Sequence, residues 1–263
     1  MRPDNKAQFG YKCQRNQRPG KMKLLDLTLP SPAENLACDE ALLDWSEAGA
    51  GDEVLRFWVS HEHFVVVGYA NQVRAEVNLA ACQKRGISVY RRCSGGGTVL
   101  QGPGCLNYSL ILKITDDNPS RNISHANQFI MERNCQAVQS AIGNRSSAIS
   151  VRGHTDLCLG DLKFSGNSQR RRKHFLLFHG TFLLDFDLPL MSEVLAMPSK
   201  QPQYRHNRSH DNFLTNLSLS AETIKRILKF TWNATEELKD PPWERIANLT
   251  NGKYSRTDWN AKF

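Results

Sequence analysis

Long apolar runs are missing from this sequence, in which no stretch approaches the ~20 consecutive apolar residues needed to cross a bilayer. The first 23 residues are basic, but no apolar segment follows them, so they lack the pattern of a secretory signal peptide. These two absences predict a soluble, cytoplasmic protein that works without a membrane.

Paired cysteines are missing as well. The seven cysteines form an odd set with no C-x-x-C pair and no short Cys/His spacing. This argues against a disulfide framework and against a zinc site. We interpret the thiols as reduced, small apolar residues: Cys13, Cys38, Cys82, Cys93, Cys105, Cys135 and Cys158.

Positive charge is unevenly distributed along the chain. The net charge is +8, and residues 1–23 hold seven Lys or Arg against one Asp, which is +6 of that total. Because residues 1–22 mix polar residues without periodicity, we expect a disordered basic tail there. A second run, Arg170 to Lys173, is either a solvated surface or a patch that steers an acidic protein partner. Neither run is interleaved with aromatic residues, so no nucleic-acid partner is expected.

Short strand-like runs alternate with helical patterns, and several strands are neighbours in sequence. This predicts an α/β (α+β) fold, a mixed β-sheet sandwich flanked by helices. Ser31-Pro32-Ala33-Glu34 is a capping box that predicts a helix to about Ala48. Further helices are expected at about 73–86, 123–142, 188–196 and 221–237. Strands are expected at 23–29, 54–59, 64–67, 87–91, 105–114, 155–166 and 175–185, with 54–59 paired to 64–67. Residues 197–218 read as a long loop that is functional or mobile.

The segment "RRCSGGGTV" (residues 91–99) places three consecutive glycines directly after a strand-like run. Glycine has no Cβ, so a ligand can approach the N–H groups of such a loop closely. A phosphate or carboxylate is the expected ligand, and an ordinary turn between strands is the simpler alternative. The pattern is neither a P-loop nor a dinucleotide-binding fingerprint, because G-x-x-x-x-G-K-[ST] is absent and the glycines lead into a strand.

A second group of polar residues follows in "GHTDLCLGDLKFSGNSQRR". A turn at Gly160-Asp161 places Asp156 and Lys163 on adjoining arms of a hairpin. Ser165 and Gly166 have small side chains and leave space beside Lys163. His179-Gly180-Thr181 lies in the next expected strand. Taken singly, the lysine and the histidine could be ordinary surface or packed residues. Together with the glycine loop, they suit the joining of a carboxylate to the α-phosphate of ATP, where fixed cations and N–H donors must offset anion repulsion.

The motifs "RRCSGGGTV", "GPGCLNYSLIL", "HTDLCLGDLKFSGNSQ" and "HGTFLL" occur in an order and spacing that resemble the lipoate-protein ligase A family. This family belongs with the biotin protein ligases and octanoyltransferases. The resemblance covers about residues 23–217. It implies a catalytic domain at 23–240 and a short C-terminal tail at 241–263, without the full accessory domain of longer ligases.

The resemblance also implies roles for individual residues. Lys163 corresponds to the family's catalytic lysine, which contacts the lipoate carboxylate and the adenylate phosphate. Asp156 corresponds to an acidic residue near the phosphates and Mg²⁺. Contacts to lipoate or the adenylate are implied for Arg91, Arg92, Ser94, Gly95, Gly96, Gly97, Thr98, Val99, Leu100, Gln101, Ser165, Gly166 and His179. The chain departs from the family pattern at Thr155, Cys93 and Gln101, which affects the nucleotide contacts most.

The implied activity is ATP-dependent ligation of lipoate or octanoate to a lysine of a lipoyl domain or a glycine-cleavage H-type protein. ATP and Mg²⁺ would be required, and a separate accessory subunit is a possible partner. An ATP-independent octanoyl or lipoyl transferase and a non-catalytic lipoyl-binding protein remain as alternatives. Transferases of this group need a nucleophilic cysteine, and the corresponding positions here have none. Only Cys158, on the expected face of Asp156, and Cys93 in the loop are left as candidates. A biotin-specific ligase is disfavoured because the G-R-G-R type of loop is absent.

Overall fold

The computed structural model describes residues 21–50, 52–116, 119–143 and 148–263. The basic tail expected at residues 1–22 lies outside the described residues up to residue 20. Met22, at the end of the expected tail, is buried and begins the first strand.

Two β-sheets form the framework. The larger sheet is mixed and has eight strands, ordered β11 (Ala234–Glu237), β1 (Met22–Asp26), β2 (Val54–Trp58), β6 (Cys105–Lys113), β10 (Phe175–Leu183), β9 (Leu162–Arg171), β8 (Asp156–Leu159) and β7 (Ile149–Arg152). The smaller sheet has three strands, ordered β4 (Ser88–Arg91), β3 (Phe64–Val67) and β5 (Val99–Gln101). The expected mixed-sheet α/β sandwich is confirmed.

Nine α-helices connect and cover the described strands: α1 (Pro32–Trp45), α2 (Val73–Glu76), α3 (Leu79–Arg85), α4 (Ile123–Ile142), α5 (Leu188–Val194), α6 (His210–Phe213), α7 (Ala221–Thr231), α8 (Trp243–Leu249) and α9 (Thr257–Asn260). The capping box is formed as expected, because the Glu34 N–H donates to Ser31 Oγ at 3.2 Å and the Ser31 N–H donates to Glu34 Oε2 at 2.9 Å. Within the described ranges, no helix combines the length and the apolar character needed to cross a membrane.

The helices lie on both faces of the larger sheet. On one face, α4 and α7 pack against Leu55, Phe57 and their neighbours. On the other face, α1, α8 and the smaller sheet pack against Val54 and Trp58. Burial of these apolar faces is the main stabilising contribution to such a sandwich. It also places α1 and the smaller sheet together over one face of the larger sheet, where the site described below is found.

The expected pairing of strands 54–59 and 64–67 is wrong. In the structure, β2 pairs with β1 and β6, whereas β3 pairs with β4 and β5 in the smaller sheet. Every residue of both strands is buried. Apart from the buried Arg56, both strands are apolar, as is typical of strands covered on both faces, so their sequences carry no alternation that would identify a partner.

Two expected helices are shorter than their sequence patterns predict. The helix expected at 73–86 is divided, and the Asn78 side chain caps the second part by accepting from the Ala81 N–H at 3.2 Å. The helix expected at 221–237 ends at Thr231, where Asn233 takes a left-handed backbone conformation (φ 52°). This turn redirects residues 234–237 into β11, which pairs with β1 in parallel.

Residues 241–263, expected as a short tail, contain α8 and α9 and belong to the packed body. Ile246 and Tyr254 are buried against α1, and the Tyr254 hydroxyl donates to Glu40 at 2.7 Å. Trp259 and Asn260 of α9 contact the strand that leads into the glycine loop. The segment therefore supports the loop rather than trailing from the fold.

Candidate active site

A cavity of about 670 Å³ lies between the glycine loop, α1 and the larger sheet. The sheet contributes two rows of residues on the side that faces the cavity, because paired residues on neighbouring strands point to the same side. The first row runs across five strands and lines the cavity: Trp58, Asn107, Thr181, Gly166 and Asp156. The second row runs parallel to it: Arg56, Ser109, His179 and Ser168. Of these four, His179 and Ser168 line the cavity, whereas Arg56 and Ser109 are fully buried outside its lining.

Lys163 and Asp156 meet at one end of the first row. The Lys163 ammonium lies 2.8 Å from Asp156 Oδ1, and the Tyr204 hydroxyl donates to Asp156 Oδ2 at 2.7 Å. The hairpin predicted to bring the two residues together is therefore confirmed, with its turn at Gly160, which has a φ of 59°. Both residues line the cavity, and the Lys163 side chain remains about a quarter exposed. The cation is thus fixed in place but accessible to an anionic ligand.

The lysine lies over Gly166, whose missing side chain makes room for it. A Cβ at Gly166 would come within 2.8 Å of the Lys163 Nζ atom and 2.9 Å of Cε. Because these atoms form the end of a flexible side chain, a methyl group there displaces the lysine rather than the backbone.

We expect Gly166→Ala to fold normally and to lose roughly tenfold or more in catalytic rate, since misplacing a positioned group by about 1 Å is costly. Thermal unfolding checks the first expectation and initial-rate measurements check the second. A fully active Gly166→Ala protein would show that the position of Lys163 over this glycine is unimportant.

A buried hydrogen-bond network connects the second row to α1 and to the glycine loop. Asp39 of α1 accepts from Arg56 Nη1 at 2.6 Å through Oδ1, and its Oδ2 lies 3.1 Å from His179 Nδ1. His179 Nε2 is in turn 2.6 Å from Ser94 Oγ in the glycine loop. Burial alone would raise the pKa of the Asp39 carboxyl, but the Arg56 guanidinium, helped by His179, lowers it. The ionised carboxylate orients the imidazole toward Ser94, as in other carboxylate–histidine pairs.

The sequence analysis missed Asp39 and Arg56. Arg56 is the single charged residue in the apolar run "VLRFW", whereas Asp39 stands beside Glu40 in "NLACDEALL", and each is buried in the structure. A buried charge needs a partner. The isolated charge in the strand is the signal that would have identified Arg56, whereas no such signal marks Asp39.

Hydrogen bonds from the buried Arg92 side chain stabilise the conformation of the glycine loop. Its Nη2 donates to the carbonyls of Gly95 at 2.6 Å and Gly97 at 2.7 Å, and burial lowers the pKa of the guanidinium to about 10. The loop also packs on Gly68, where a Cβ would meet the Gly96 carbonyl oxygen at 2.1 Å. These contacts fix the loop before any ligand binds.

Most of the site residues predicted from the sequence line the cavity together: Arg92, Gly96, Gly97, Thr98, Val99, Leu100, Gln101, Asp156, Lys163, Ser165, Gly166 and His179. Ser94 and Gly95 belong to the loop but lie outside the cavity lining; Ser94 contacts His179, and the Gly95 carbonyl accepts from Ser168 Oγ at 2.9 Å. They shape the site without lining it.

Arg91 does not contact the cavity, contrary to expectation. Its side chain is fully buried and donates to the backbone carbonyls of Gly68, Tyr69, Asn71, Trp259 and Asn260. A guanidinium engaged in this way joins the smaller sheet to α9. Arg91 is therefore a structural residue next to the site.

Residues 197–218, expected to be a long loop, contain α6 (His210–Phe213) and form one wall of the cavity. Lys200, Gln203 and Arg205 line it, and the Thr215 N–H donates to the Lys163 carbonyl at 2.9 Å. His210 also lines the wall, where burial and the nearby Arg205 lower its pKa to about 4. The imidazole is consequently neutral at pH 7.

The basic run at 170–173 is largely engaged within the protein. Arg171 donates to the carbonyls of Ser120 and Arg121, and Arg172 forms a 2.8 Å ion pair with Asp44. This leaves less free charge for steering a partner than the sequence indicates.

None of the described cysteines lines the cavity. Cys158 lies on the same face of β8 as Asp156, as expected, because the Tyr204 hydroxyl contacts both side chains, Asp156 Oδ2 at 2.7 Å and Cys158 Sγ at 3.6 Å; the thiol is nevertheless fully buried. Burial raises the pKa of Cys158, and it raises that of Cys93 to about 12. Both thiols are therefore protonated at neutral pH, which makes them poor nucleophiles.

No group of three or more His, Cys, Asp or Glu residues in the described ranges is arranged to hold a metal ion. Asp156 offers one carboxylate at the cavity edge. Because Mg²⁺ is often held by one or two carboxylates together with substrate phosphates, Asp156 fits such a shared site.

The two-sheet sandwich is a mixed α/β catalytic fold of the kind found in lipoate-protein ligases. Residues 31–230 match the family described as the lipoyl protein ligase A/B catalytic domain, and the chain belongs to this family. Enzymes of this group attach lipoyl groups to proteins.

Two curated relatives illustrate the range of the family. Lipoate–protein ligase 1 of Staphylococcus aureus is 31% identical over 243 residues, which cover 88% of this chain and 70% of the relative. Octanoyltransferase LipM of Halalkalibacterium halodurans is 25% identical over 263 residues, which cover 87% of this chain and 94% of the relative. The relatives thus include both a ligase and an octanoyltransferase.

Two solved structures share the fold. The bipartite lipoate protein ligase of Thermoplasma acidophilum, studied with its E2 lipoyl domain, superposes with a TM-score of 0.78 at 24% identity, covering 92% of this chain and 96% of that one. A lipoate-protein ligase A bound with ATP has a TM-score of 0.75 at 25% identity, with coverage of 92% and 99%.

Proposed function

We propose that the protein is an ATP-dependent lipoate-protein ligase, which activates lipoate as lipoyl-AMP and transfers the lipoyl group to a lysine of an acceptor protein. The observation that carries this proposal is the accessible Lys163 beside the glycine loop, in a cavity whose described lining contains no cysteine. An accessible cation serves the joining of two anions, whereas a covalent transferase needs a thiolate.

In the first step, a carboxylate oxygen of lipoate attacks the α-phosphorus of ATP. A bond between the acyl oxygen and phosphorus forms, the bond to the bridging oxygen breaks, and pyrophosphate leaves. Lys163 offsets the repulsion between the carboxylate and the phosphate, and it stabilises the charge that develops on the phosphoryl oxygens. The loop from Gly96 to Thr98 offers backbone N–H groups to the same phosphate.

Mg²⁺ would supply charge neutralisation for the departing phosphates when bound, and Asp156 is the residue that would hold it with them. Asp156 also fixes the Lys163 ammonium at 2.8 Å before substrate binds. Tyr204 restrains the same carboxylate from the 197–218 wall. The three side chains thus couple the position of the lysine to that wall.

In the second step, the neutral ε-amine of the acceptor lysine attacks the acyl carbon of lipoyl-AMP. An amide bond forms, the bond from the acyl carbon to the phosphate oxygen breaks, AMP leaves, and the amine gives up a proton to solvent. The acceptor would be a lipoyl domain or a glycine-cleavage H-type protein. The Thermoplasma neighbour supports this acceptor class, because it was studied with an E2 lipoyl domain.

An octanoyltransferase is the second candidate, favoured by the relatives named LipM. It would need a reactive thiolate within reach of the acyl group. Cys93 and Cys158 are buried with raised pKa values and lie outside the cavity lining. We therefore prefer the ligase.

Pyrophosphate release by the purified protein with ATP, Mg²⁺ and lipoate tests the proposal. Lipoate-dependent release is expected. If no pyrophosphate appears but the protein takes an octanoyl group as a hydroxylamine-sensitive thioester, it is a transferase. Adding a lipoyl domain after adenylation tests the second step, and a requirement for a further polypeptide at that stage would identify an accessory subunit like that of a bipartite ligase.

A further inference from the structure

The wall formed by residues 197–218 contains a histidine that neither step uses. His210 is more than nine-tenths buried and lines the cavity. Neither of its ring nitrogens has a hydrogen-bond partner among the described residues, and both keep accessible surface. Because the residue is otherwise buried and lines the cavity, this remaining surface opens into it. The imidazole is therefore available to a bound molecule.

The fold places this histidine close to Lys163. His210 begins α6, and its carbonyl accepts from the Leu214 N–H at 2.9 Å, which closes the single turn of this helix. Leu214 in turn forms a β-bridge with Lys163. One helical turn, about 5.4 Å, thus separates His210 from the residue paired with Lys163. The imidazole and the Lys163 ammonium lie at the same end of the cavity, near enough for the charge of one to act on the other.

The surroundings keep the imidazole neutral in the free protein. Burial, followed by the positive charge of Arg205, lowers the pKa of His210 to about 4. Lys163 acts in the same direction, and Asp211 on the same helix opposes it. The phosphate of lipoyl-AMP, held at Lys163, would offset the two cations and raise this pKa again. The imidazole is thus a proton acceptor before the reaction and a stronger base once the adenylate is bound.

Other proton acceptors of the cavity lining are engaged within the protein. The carboxylates and imidazole that already have hydrogen-bond or ion-pair partners there are Asp39, Glu76, Asp156 and His179. His154 also lines the cavity, but its side chain is exposed to solvent. Among the described lining residues, His210 is therefore the buried acceptor that remains free.

We propose that His210 is the general base of the second step and accepts the proton released when the acceptor lysine attacks lipoyl-AMP. This inference rests on the proposed function and adds a catalytic residue to it. The bond between the amine nitrogen and the acyl carbon forms, and a nitrogen–hydrogen bond breaks as its proton moves to an imidazole nitrogen. AMP leaves with the electrons of the bond between the acyl carbon and oxygen. The imidazolium then passes the proton to solvent.

The test is single-turnover transfer from chemically prepared lipoyl-AMP, bound to the protein without ATP, to a purified E2 lipoyl domain. We expect His210→Gln to lower the rate at saturating lipoyl domain by roughly 10²-fold, within the usual contribution of a positioned general base. Transfer to hydroxylamine should change little, because this small nucleophile is neutral at pH 7 and loses its proton readily. His174→Gln, which changes an exposed histidine outside the cavity lining, is the matched control and should transfer at the wild-type rate.

A folded His210→Gln protein that transfers to the lipoyl domain at the wild-type rate overturns the proposal. An equal loss with hydroxylamine also overturns it, because the histidine would then only support the site. A loss in His154→Gln instead of His210→Gln would assign the base to the exposed histidine. If His210→Gln fails to fold, the wild type decides: slower transfer to the lipoyl domain in D₂O is expected, and an unchanged rate refutes a proton acceptor in the transition state.

The supplied adenylate separates this inference from the proposed function. His210-dependent transfer from lipoyl-AMP, combined with no pyrophosphate release from ATP, would refute adenylation and leave the base in place. Pyrophosphate release combined with transfer that does not depend on His210 would retain the ligase and refute the base.

Discussion

Replacing Lys163 with alanine is expected to lower lipoate-dependent pyrophosphate release by roughly 10²- to 10³-fold, the usual cost of removing one positioned stabilising donor. The structure holds the Lys163 ammonium over Gly166, at 2.8 Å from Asp156 Oδ1. Without it, the approaching carboxylate and phosphate keep their mutual repulsion. Stability should change by less than about 1 kcal/mol, because the ion pair is partly exposed and solvent screens it.

Lys225→Ala is the matched control for this experiment. It also removes a lysine paired to an aspartate, since Lys225 Nζ lies 3.0 Å from Asp26 Oδ2, but it lies on α7 outside the cavity lining. Its rate should equal that of the wild type. A Lys163→Ala protein that releases pyrophosphate at the wild-type rate would remove Lys163 from the mechanism.

Asp39→Asn should be the most destabilising of the substitutions considered, with a loss of roughly 3 kcal/mol or more in the free energy of unfolding. Breaking a buried ion pair leaves the other charge uncompensated. Arg56, whose side chain is fully buried, would keep its bonds to Asn35 but lose the carboxylate. Urea unfolding at neutral pH measures the change.

The pH dependence of stability gives a second readout for Asp39. A carboxyl whose pKa is lowered by folding contributes stability above its ordinary pKa, and that contribution is lost as the pH falls through the depressed value. The wild type should therefore lose this increment on acidification, and Asp39→Asn should lack it. Asp44→Asn, on the same helix and paired with the partly exposed Arg172, should cost less than about 1 kcal/mol. If both variants were equally stable, the buried pair would not support the fold as argued.

The sequence predicted the elements whose signals are local. Ser31 and Glu34 form a capping box within four residues, and the hairpin that joins Asp156 to Lys163 depends on one glycine turn. The order of the four motifs gave the family resemblance, and the resemblance in turn indicated which residues belong to the site. These features could be predicted because the residues that interact are neighbours along the chain.

The missed features depend on contacts between distant parts of the chain. Asp39 and Arg56 lie on a helix and a strand, and their pairing follows only from how α1 packs on the sheet. The predicted pairing of β2 with β3 was wrong, because both strands are buried on both faces and carry no alternation that identifies a partner. Similarly, the helical pattern after Ala221 continued past Thr231, where a left-handed Asn233 and pairing with β1 overrode it.

Arg91 shows how one position can be intolerant of substitution although the residues it binds can be substituted. Its guanidinium binds five backbone carbonyls, and every residue type carries a carbonyl. Side chains at Tyr69, Asn71 or Asn260 can therefore vary without removing these bonds, whereas lysine at position 91 cannot reproduce a planar array of five donors. In a set of related sequences, this contact would appear as one invariant arginine with no covarying partner, and it would be mistaken for a ligand-binding residue.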